Sequence, residues 1–461
     1  MPYTPYNALC LVMQRIEDSV TSLGYNPCPR QIEKWAMVIL EGMSGPSRTY
    51  HGEDHILELS KDMDPISTIS ALFHDIVYYQ VDGGLTPLVK SFIFPYFSNV
   101  NGILHVKELS IKDPVYEISI GIFGYSPGQQ LLPSSGQNEF LSTLLALKVM
   151  SEILSSRDLL MVALCIEATI PFRAHTKILE ILRARTEEIS KKMSLNLSSE
   201  SIEEGIKRAA KLANKDVGSF SSDHVAEFLE QTWQLLPETN VRLTSSNVYS
   251  IREYRSALLK METFLSNLRP EVIYFEYKGV AEKKYFHSLV KKAKFNLEVG
   301  INYLRIKLYT VSILEALSEI TGGGVPLIFF MGDLKHQTQG NQLKIRSFLE
   351  KMPQIEKTEV VKDSLMYQLL EIGRAKDSSY DTKASPLSAY LYKILGEKEI
   401  LKKYVESKKM FHGQLSHEKF LQQQNQDMIA TIAKACAELA YTRKKKLQSI
   451  EKILRNNKIK K

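Results

Sequence analysis

Apolar residues recur every three or four positions along most of this chain, a spacing that commits it to helices before anything else is known of it. Leu11, Ile16, Val20 and Leu23 trace one apolar face, and Ile32, Trp35, Val38 and Ile39 trace a second after Pro29. The pattern returns at Glu139 and runs through Ile153, then from Leu159 to Thr169 and from Ile178 to Ile189. After a polar stretch, Ser194 to Ser201, it continues with Ile206, Ala209, Ala210 and Leu212. The expected fold class is mainly α.

Between Asp82 and Gly136 the helical period gives way to Gly83-Gly84, Phe94-Pro95-Tyr96, Asn99-Val100-Asn101-Gly102 and Pro127-Gly128. That composition reads as an insertion over residues 80–137 made of short strands or turns. A domain boundary is expected after Leu236-Pro237-Glu238-Thr239-Asn240, where proline and a polar run over 244–247 separate two helical blocks. This gives a first domain of residues 1–240 and a helical C-terminal domain of residues 241–461. In the latter, Val325–Met331 reads as an apolar strand between Gly322-Gly323-Gly324 and Gly332-Asp333. The triple glycine is not a phosphate-binding Walker loop, because Val325-Pro326 stands where Lys-Ser/Thr is needed. Ile432, Cys436, Leu439, Leu447, Ile450 and Leu454 are spaced for packing on their own domain rather than for a coiled coil.

With 44% hydrophobic and 24% charged residues, wholesale disorder is excluded and 461 residues suffice for two or three folded units. No run approaches the roughly 18 consecutive apolar residues of a membrane-spanning helix, and Ala8–Met13 lacks the preceding positive charge of a signal peptide. Cys10, Cys28, Cys165 and Cys436 stand far apart with no Cys-x-x-Cys pair, so no disulfide framework or thiolate zinc site is expected and a reducing, cytoplasmic setting fits. The net charge of +7 is concentrated at one end, residues 401–461 carrying 15 Lys and Arg against five Asp and Glu. The basic tail, 441–461, reads first as a solvated helix face and second as a site for nucleic acid, anionic lipid or an acidic partner.

Three of the ten histidines, His51, His55 and His74, fall within 24 residues, and Asp75 follows the last of them. His51 and His55 share one face if their segment is helical. His74-Asp75 ends the helical stretch Ile69-Ser70-Ala71-Leu72-Phe73, where both side chains can enter a cleft. Imidazole nitrogen and carboxylate oxygen together suit a divalent ion such as Mn, Fe, Co, Ni or Zn, with positions left for water and substrate. On the residues alone, a His-x-x-x-His pair is equally a capping or core pair.

Arg48-Thr49-Tyr50-His51-Gly52-Glu53-Asp54-His55-Ile56-Leu57, followed by Leu72-Phe73-His74-Asp75-Ile76-Val77-Tyr78, resembles the opening of the HD superfamily of metal-dependent phosphohydrolases, whose pattern is His, then His-Asp, then a distant Asp. Asp216, in Leu212-Ala213-Asn214-Lys215-Asp216-Val217, is the best match for the distant Asp, with Asp223 and His224 as competitors. Asn138-Glu139 followed by Ser142 and Ala146 is similar to the Asn-Glu-x-x-Ser segment of one branch, in which the stretch before it is usually short. The similarity covers residues 30–236. It implies that His55, His74, Asp75 and Asp216 bind metal, with His51 an alternative first ligand or a neighbour of the ligands. One ion rather than two is implied, because only His105 and His175 lie between the His-Asp pair and the distant Asp.

The implied activity is metal-activated water attack on a small phosphorylated substrate, a nucleotide being one candidate. Asp75 beside that water can orient or deprotonate it. Arg173, in Ala168-Thr169-Ile170-Pro171-Phe172-Arg173, and Lys215 are candidates for contacting phosphate, arginine with the advantage of a two-pronged grip. Pro171 ends or kinks the helix before it and could turn Thr169, Arg173 and His175 toward the cleft. An ion-paired arginine is the other reading of Arg173. Glu139 and Glu167 are candidate acid-base groups or supports of the ligands. The competing readings of the chain are a non-catalytic HD sensor of nucleotide or metal, and a nucleic-acid binder acting through the basic tail.

Overall fold

In the computed structural model the chain opens with α1 (Pro5–Ser22), α2 (Pro29–Met43), α3 (Glu53–Ser60), α4 (Pro65–Phe73) and α5 (Pro87–Ile93). An antiparallel hairpin, β1 (Phe97–Val100) and β2 (Ile103–Val106), follows. Then come α6 (Pro114–Phe123), α7 (Gln137–Met150), α8 (Ser156–Ala168), α9 (Ile178–Lys192) and α10 (Ser199–Asp216). The structure describes residues 4–173, 177–245, 247–333, 343–353, 364–376, 378, 380–450, 452 and 454. The fold is mainly α, the hairpin being the one sheet among the described residues.

Proline sets many of these starts. α1, α2, α4, α5 and α6 each begin on one, where the fixed φ and missing N–H cost nothing. Thr4, Asp64, Thr86 and Asp113 cap four of the five with side-chain oxygens.

Two compact units emerge: Met1–Ser221 with Arg269–Ala293, and Ser222–Leu268 with Lys294–Lys461. The expected boundary at residue 240 falls inside the second, and the chain re-enters the first over 269–293. In the first unit, α8 is buried at every position from Leu159 to Ala168, because α4, α6, α7, α9 and α10 all pack against it. α4 is likewise buried along its whole helical span apart from Pro65. The apolar stripe Ile202, Ile206, Ala209 and Ala213 seats α10, and Gly205 lets it approach closely: a Cβ there would lie 2.6 Å from Met161 Sδ.

The stretch expected as an insertion of short strands or turns contains the β1–β2 hairpin with α5 and α6 and contributes to this core. Val89, Ile93, Tyr96, Leu104, Ile118 and Ile122 are all buried in it. Its turn signals are real but local. Asn101 and Gly102 both have positive φ, 53° and 83°, the turn a two-residue hairpin requires, while Pro87 and Pro114 start helices.

Gly42 of α2 faces the chain directly after Asp75, and a Cβ there would fall 2.4 Å from Ile76 Cγ1 and 3.0 Å from the Ile76 carbonyl oxygen. Gly42→Ala is therefore expected to cost about 1–3 kcal/mol. Urea unfolding measures this, and a variant as stable as wild type would contradict the close approach.

The second unit is helical too, with Val225–Gln234, Ile251–Asn267, the later part of Lys283–Thr321, Pro386–Phe411 and Gln426–Leu439 as its longer members. Its centre holds Asp381, whose Oδ2 accepts from Trp233 Nε1 at 2.9 Å and the Tyr254 hydroxyl at 2.7 Å, with Lys307 Nζ at 3.5 Å. The strand expected over Val325–Met331 is not formed. Pro326 has no N–H to give a ladder, and Ile328–Met331 makes a helical turn instead. Arg443, from the basic tail, donates to the carbonyls of Ser318 and Gly323 at 2.9 and 2.8 Å, placing a cation at the end of Lys283–Thr321. Leu447, Ile450 and Leu454 are buried; most of the tail beyond residue 450 lies outside the described residues. No helix among the described residues is long and apolar enough to cross a membrane.

Candidate metal centre

Three helices of the first unit, α3, α4 and α10, pack on one another and bring four side chains to one point. His55 lies in the first turn of α3, His74 closes α4 with Asp75 next to it, and Asp216 ends α10. His74 Nε2 is 2.8 Å from Asp75 Oδ2 and 3.5 Å from Asp216 Oδ1. His55 Nε2 is 3.1 Å from Asp216 Oδ1, 3.5 Å from Asp75 Oδ2 and 3.4 Å from His74 Nε2. Donor atoms held about 2.1 Å from one ion at tetrahedral or right angles lie roughly 3.0–3.5 Å apart. The set therefore has the composition and spacing of a single-ion site, and His55, His74 and Asp75 alone already form a group able to hold one.

The ring of His74 is oriented for this. Its Nδ1 lies 2.9 Å from the Ala71 carbonyl, which can only accept, so Nδ1 carries a proton and Nε2 is the nitrogen that faces the cluster, available to an ion once its own proton leaves. The charges are mutually adjusted. Burial works against the imidazolium of His74, but Asp75 and Asp216 outweigh it and hold its pKa well above the ordinary value. Burial likewise opposes both carboxylates. His74, with His51 and His55, still holds Asp75 far below the usual range, and hydrogen bonds from His55 and His74 bring Asp216 to about 2.

The side chains that hold these four residues in place were only partly visible in the sequence. Arg48, its side chain fully buried, donates to the carbonyls of Asp75 at 2.6 Å, Ile76 at 3.1 Å and His51 at 3.3 Å. It also forks the Asp82 carboxylate at 2.9 and 2.6 Å. One guanidinium thus ties the turn before α3 to the turn after α4. From α7, Ser142 Oγ accepts from the Val77 amide at 3.1 Å and Asn138 Oδ1 from the Tyr79 amide at 3.1 Å. Two residues of the Asn-Glu-x-x-Ser segment thereby fix the chain beyond His74-Asp75. Asn214 pairs with the backbone of Phe275 in both directions, at 2.9 and 2.7 Å, so the returning segment 269–293 braces the end of α10 that carries Asp216.

His51 and His55 do not share a helical face. Gly52, extended at φ −102° and ψ −170°, starts α3, and the acidic Glu53 and Asp54 fill its first turn, leaving His51 before it. The His51 ring stands edge-on to His55 at 5.8 Å and to Tyr78 at 5.0 Å between centroids, beside the cluster.

Glu139 opens α7, and burial, with the charge of Asp75 adding, pushes its carboxyl up to about 7. Arg173 is committed to an ion pair: NH1 and NH2 fork the buried Glu167 carboxylate at 2.7 and 3.1 Å. Arg185, 3.8 Å from Glu167, and Tyr125 complete this second charged group. Pro171 does follow the end of α8, and Phe172 turns the chain at φ 56°. Lys215 is not brought to the cluster. Its ammonium donates to the Lys61 carbonyl at the end of α3. His105 lies on β2 with Nδ1 3.2 Å from the Ile103 carbonyl, and His224 opens Val225–Gln234 in the second unit beside Asp223. His175 lies outside the described residues.

Arg48, Asp82, Tyr125, Arg185 and Asn214 were not assigned roles from sequence. Arg48 stood inside the motif, but nothing marked a partner 34 residues on. Against family models, curated proteins and solved structures, the chain matches none.

Proposed function

We propose that the first unit is an HD-type, metal-dependent phosphohydrolase acting on a small phosphorylated molecule, with nucleotides first among the candidates. The observation that carries the reading is the convergence of His55, His74, Asp75 and Asp216, their donor atoms 2.8–3.5 Å apart in the five measured pairs. A divalent ion bound there would supply a water acidified toward neutrality and offset charge on the phosphate. In this reading Asp75, one of the residues that would hold the ion, would also orient that water. Glu139, protonated up to about pH 7, can hold a proton for the leaving oxygen. Arg173, fixed by Glu167, contributes positive charge felt at Glu139 rather than a free fork for phosphate.

The test is phosphate release from a panel of nucleoside and sugar phosphates with Mn, Fe, Co, Ni and Zn. Glu139→Gln should keep its metal and lose about a hundredfold in kcat. Tight metal binding with no release from any substrate would overturn the hydrolase and leave a sensor. Metal affinity should also fall with pH. The second proton of His74, held tightly by Asp75 and Asp216, must leave before Nε2 can bind. Affinity then drops by up to about tenfold per pH unit below the raised pKa of His74 and levels off above it, as competition titrations with a chelator would record.

A further inference from the structure

The residues from Lys283 to Phe295, the start of the long helix Lys283–Thr321, read Lys-Lys-Tyr-Phe-His-Ser-Leu-Val-Lys-Lys-Ala-Lys-Phe and contain five lysines and no acid. At 100° per residue, Lys283, Lys284, His287, Lys291, Lys294 and Phe295 fall within a wedge of about 120°, extending about 18 Å along the axis. All six are exposed, while Ala293 and Leu297, outside the wedge, are buried. Phe295, at the edge of the wedge, is 50% exposed.

Several exposed lysines elsewhere are answered by acids, as in Lys34–Glu152, Lys192–Glu117, Lys207–Glu204, Lys409–Glu406 and Lys444–Glu438, whereas this helix start gathers its lysines on one face with no acid in the segment. Lys283, Lys284, Lys291 and Lys294 have no such partner among the described residues. Lys291 and Lys294, three positions apart, repel each other on the helix surface, so that pair opposes the stability of the element that carries it.

We propose that this face binds single-stranded nucleic acid. A line of unpaired ammonium groups suits a run of phosphates, and an exposed ring on the same face offers a platform for a base. A lipid surface fits less well, because Phe295 is the one apolar side chain exposed on this face, short of the apolar stripe that an interfacial helix buries. The basic tail, first considered for this role, is partly spent: Arg443 caps the end of the same helix and Lys444 pairs with Glu438. This inference is independent of the hydrolase.

Fluorescence anisotropy of the full-length protein with labelled 20-nucleotide dT and a mixed-sequence RNA, titrated with salt, tests it. Binding should weaken steeply with salt. Combining Lys284→Gln, Lys291→Gln and Lys294→Gln should lower the log–log salt slope by about 2 and the affinity at least tenfold, the side chains being solvated and the fold unaffected. Phe295→Ala should weaken binding about fivefold or more with the slope unchanged. Combining Lys444→Gln, Lys445→Gln and Lys446→Gln should change little. No binding at 50 mM salt, loss only in the tail variant, or binding to phosphatidylserine vesicles without oligonucleotide binding would each overturn the assignment.

Discussion

Asp216→Ala is expected to abolish metal binding and to lower metal-dependent phosphate release on the order of a thousandfold or more, whereas Asp223→Ala leaves both unchanged. Both aspartates competed for the distant-ligand role in the sequence, and only Asp216 stands 3.1 Å from His55 and 3.5 Å from His74. A second consequence separates a ligand from a bystander. Asp216 has its folded-state pKa depressed to about 2, so the stability it contributes to the metal-free protein is present above the ordinary carboxylate pKa and is lost as pH falls toward 2. Its removal should therefore cost about 2 kcal/mol at neutral pH and progressively less from about pH 4 downward. Denaturant unfolding of metal-free protein at pH 7 and pH 3 measures the difference. An equal cost at both would mean that Asp216 acts through packing alone.

Arg48→Ala should be the most damaging single change outside the ligands. It removes the donor to three carbonyls and leaves Asp82 without the guanidinium it faces, a loss of about 3–5 kcal/mol for one partner of a buried pair. Because those carbonyls belong to His51, Asp75 and Ile76, metal affinity should fall with stability, by roughly ten- to a hundredfold. Arg48→Lys should rescue little, since an ammonium cannot fork Asp82 and reach the carbonyls together. Thermal unfolding with and without added metal reads both effects. An Arg48→Ala protein with wild-type melting and wild-type metal affinity would refute the latch.

Much of the first unit was legible because its helices are amphipathic and capped. The periods of Leu11–Leu23, Leu159–Thr169 and Ile178–Ile189 correspond to α1, α8 and α9. His74-Asp75 was placed at a helix end, and α4 ends at Phe73. What failed shares one cause, that local signals say where an element turns but not what it packs on. Glycines and prolines over 82–136 marked real turns, yet the residues between them are core. Val325–Met331 was apolar enough for a strand, but among the described residues its pairing stops at a single bridge between Pro326 and Ser250, and Pro326 has no N–H to extend it. Gly52 reads as an ordinary residue between two histidines until its extended backbone moves the start of α3 past His51. Long-range pairs such as Arg48 with Asp82 and Asn214 with Phe275 leave no periodic trace at all.

The central claim is that His55, His74, Asp75 and Asp216 hold one divalent ion. The most direct measurement is elemental analysis of purified protein, before and after incubation with Mn, Fe, Co, Ni and Zn, for wild type and Asp75→Ala in parallel. The account predicts close to one equivalent of a single transition metal in wild type and almost none in the folded variant. Wild-type protein that stays metal-free under every condition, or an Asp75→Ala protein that retains a full equivalent, would contradict it.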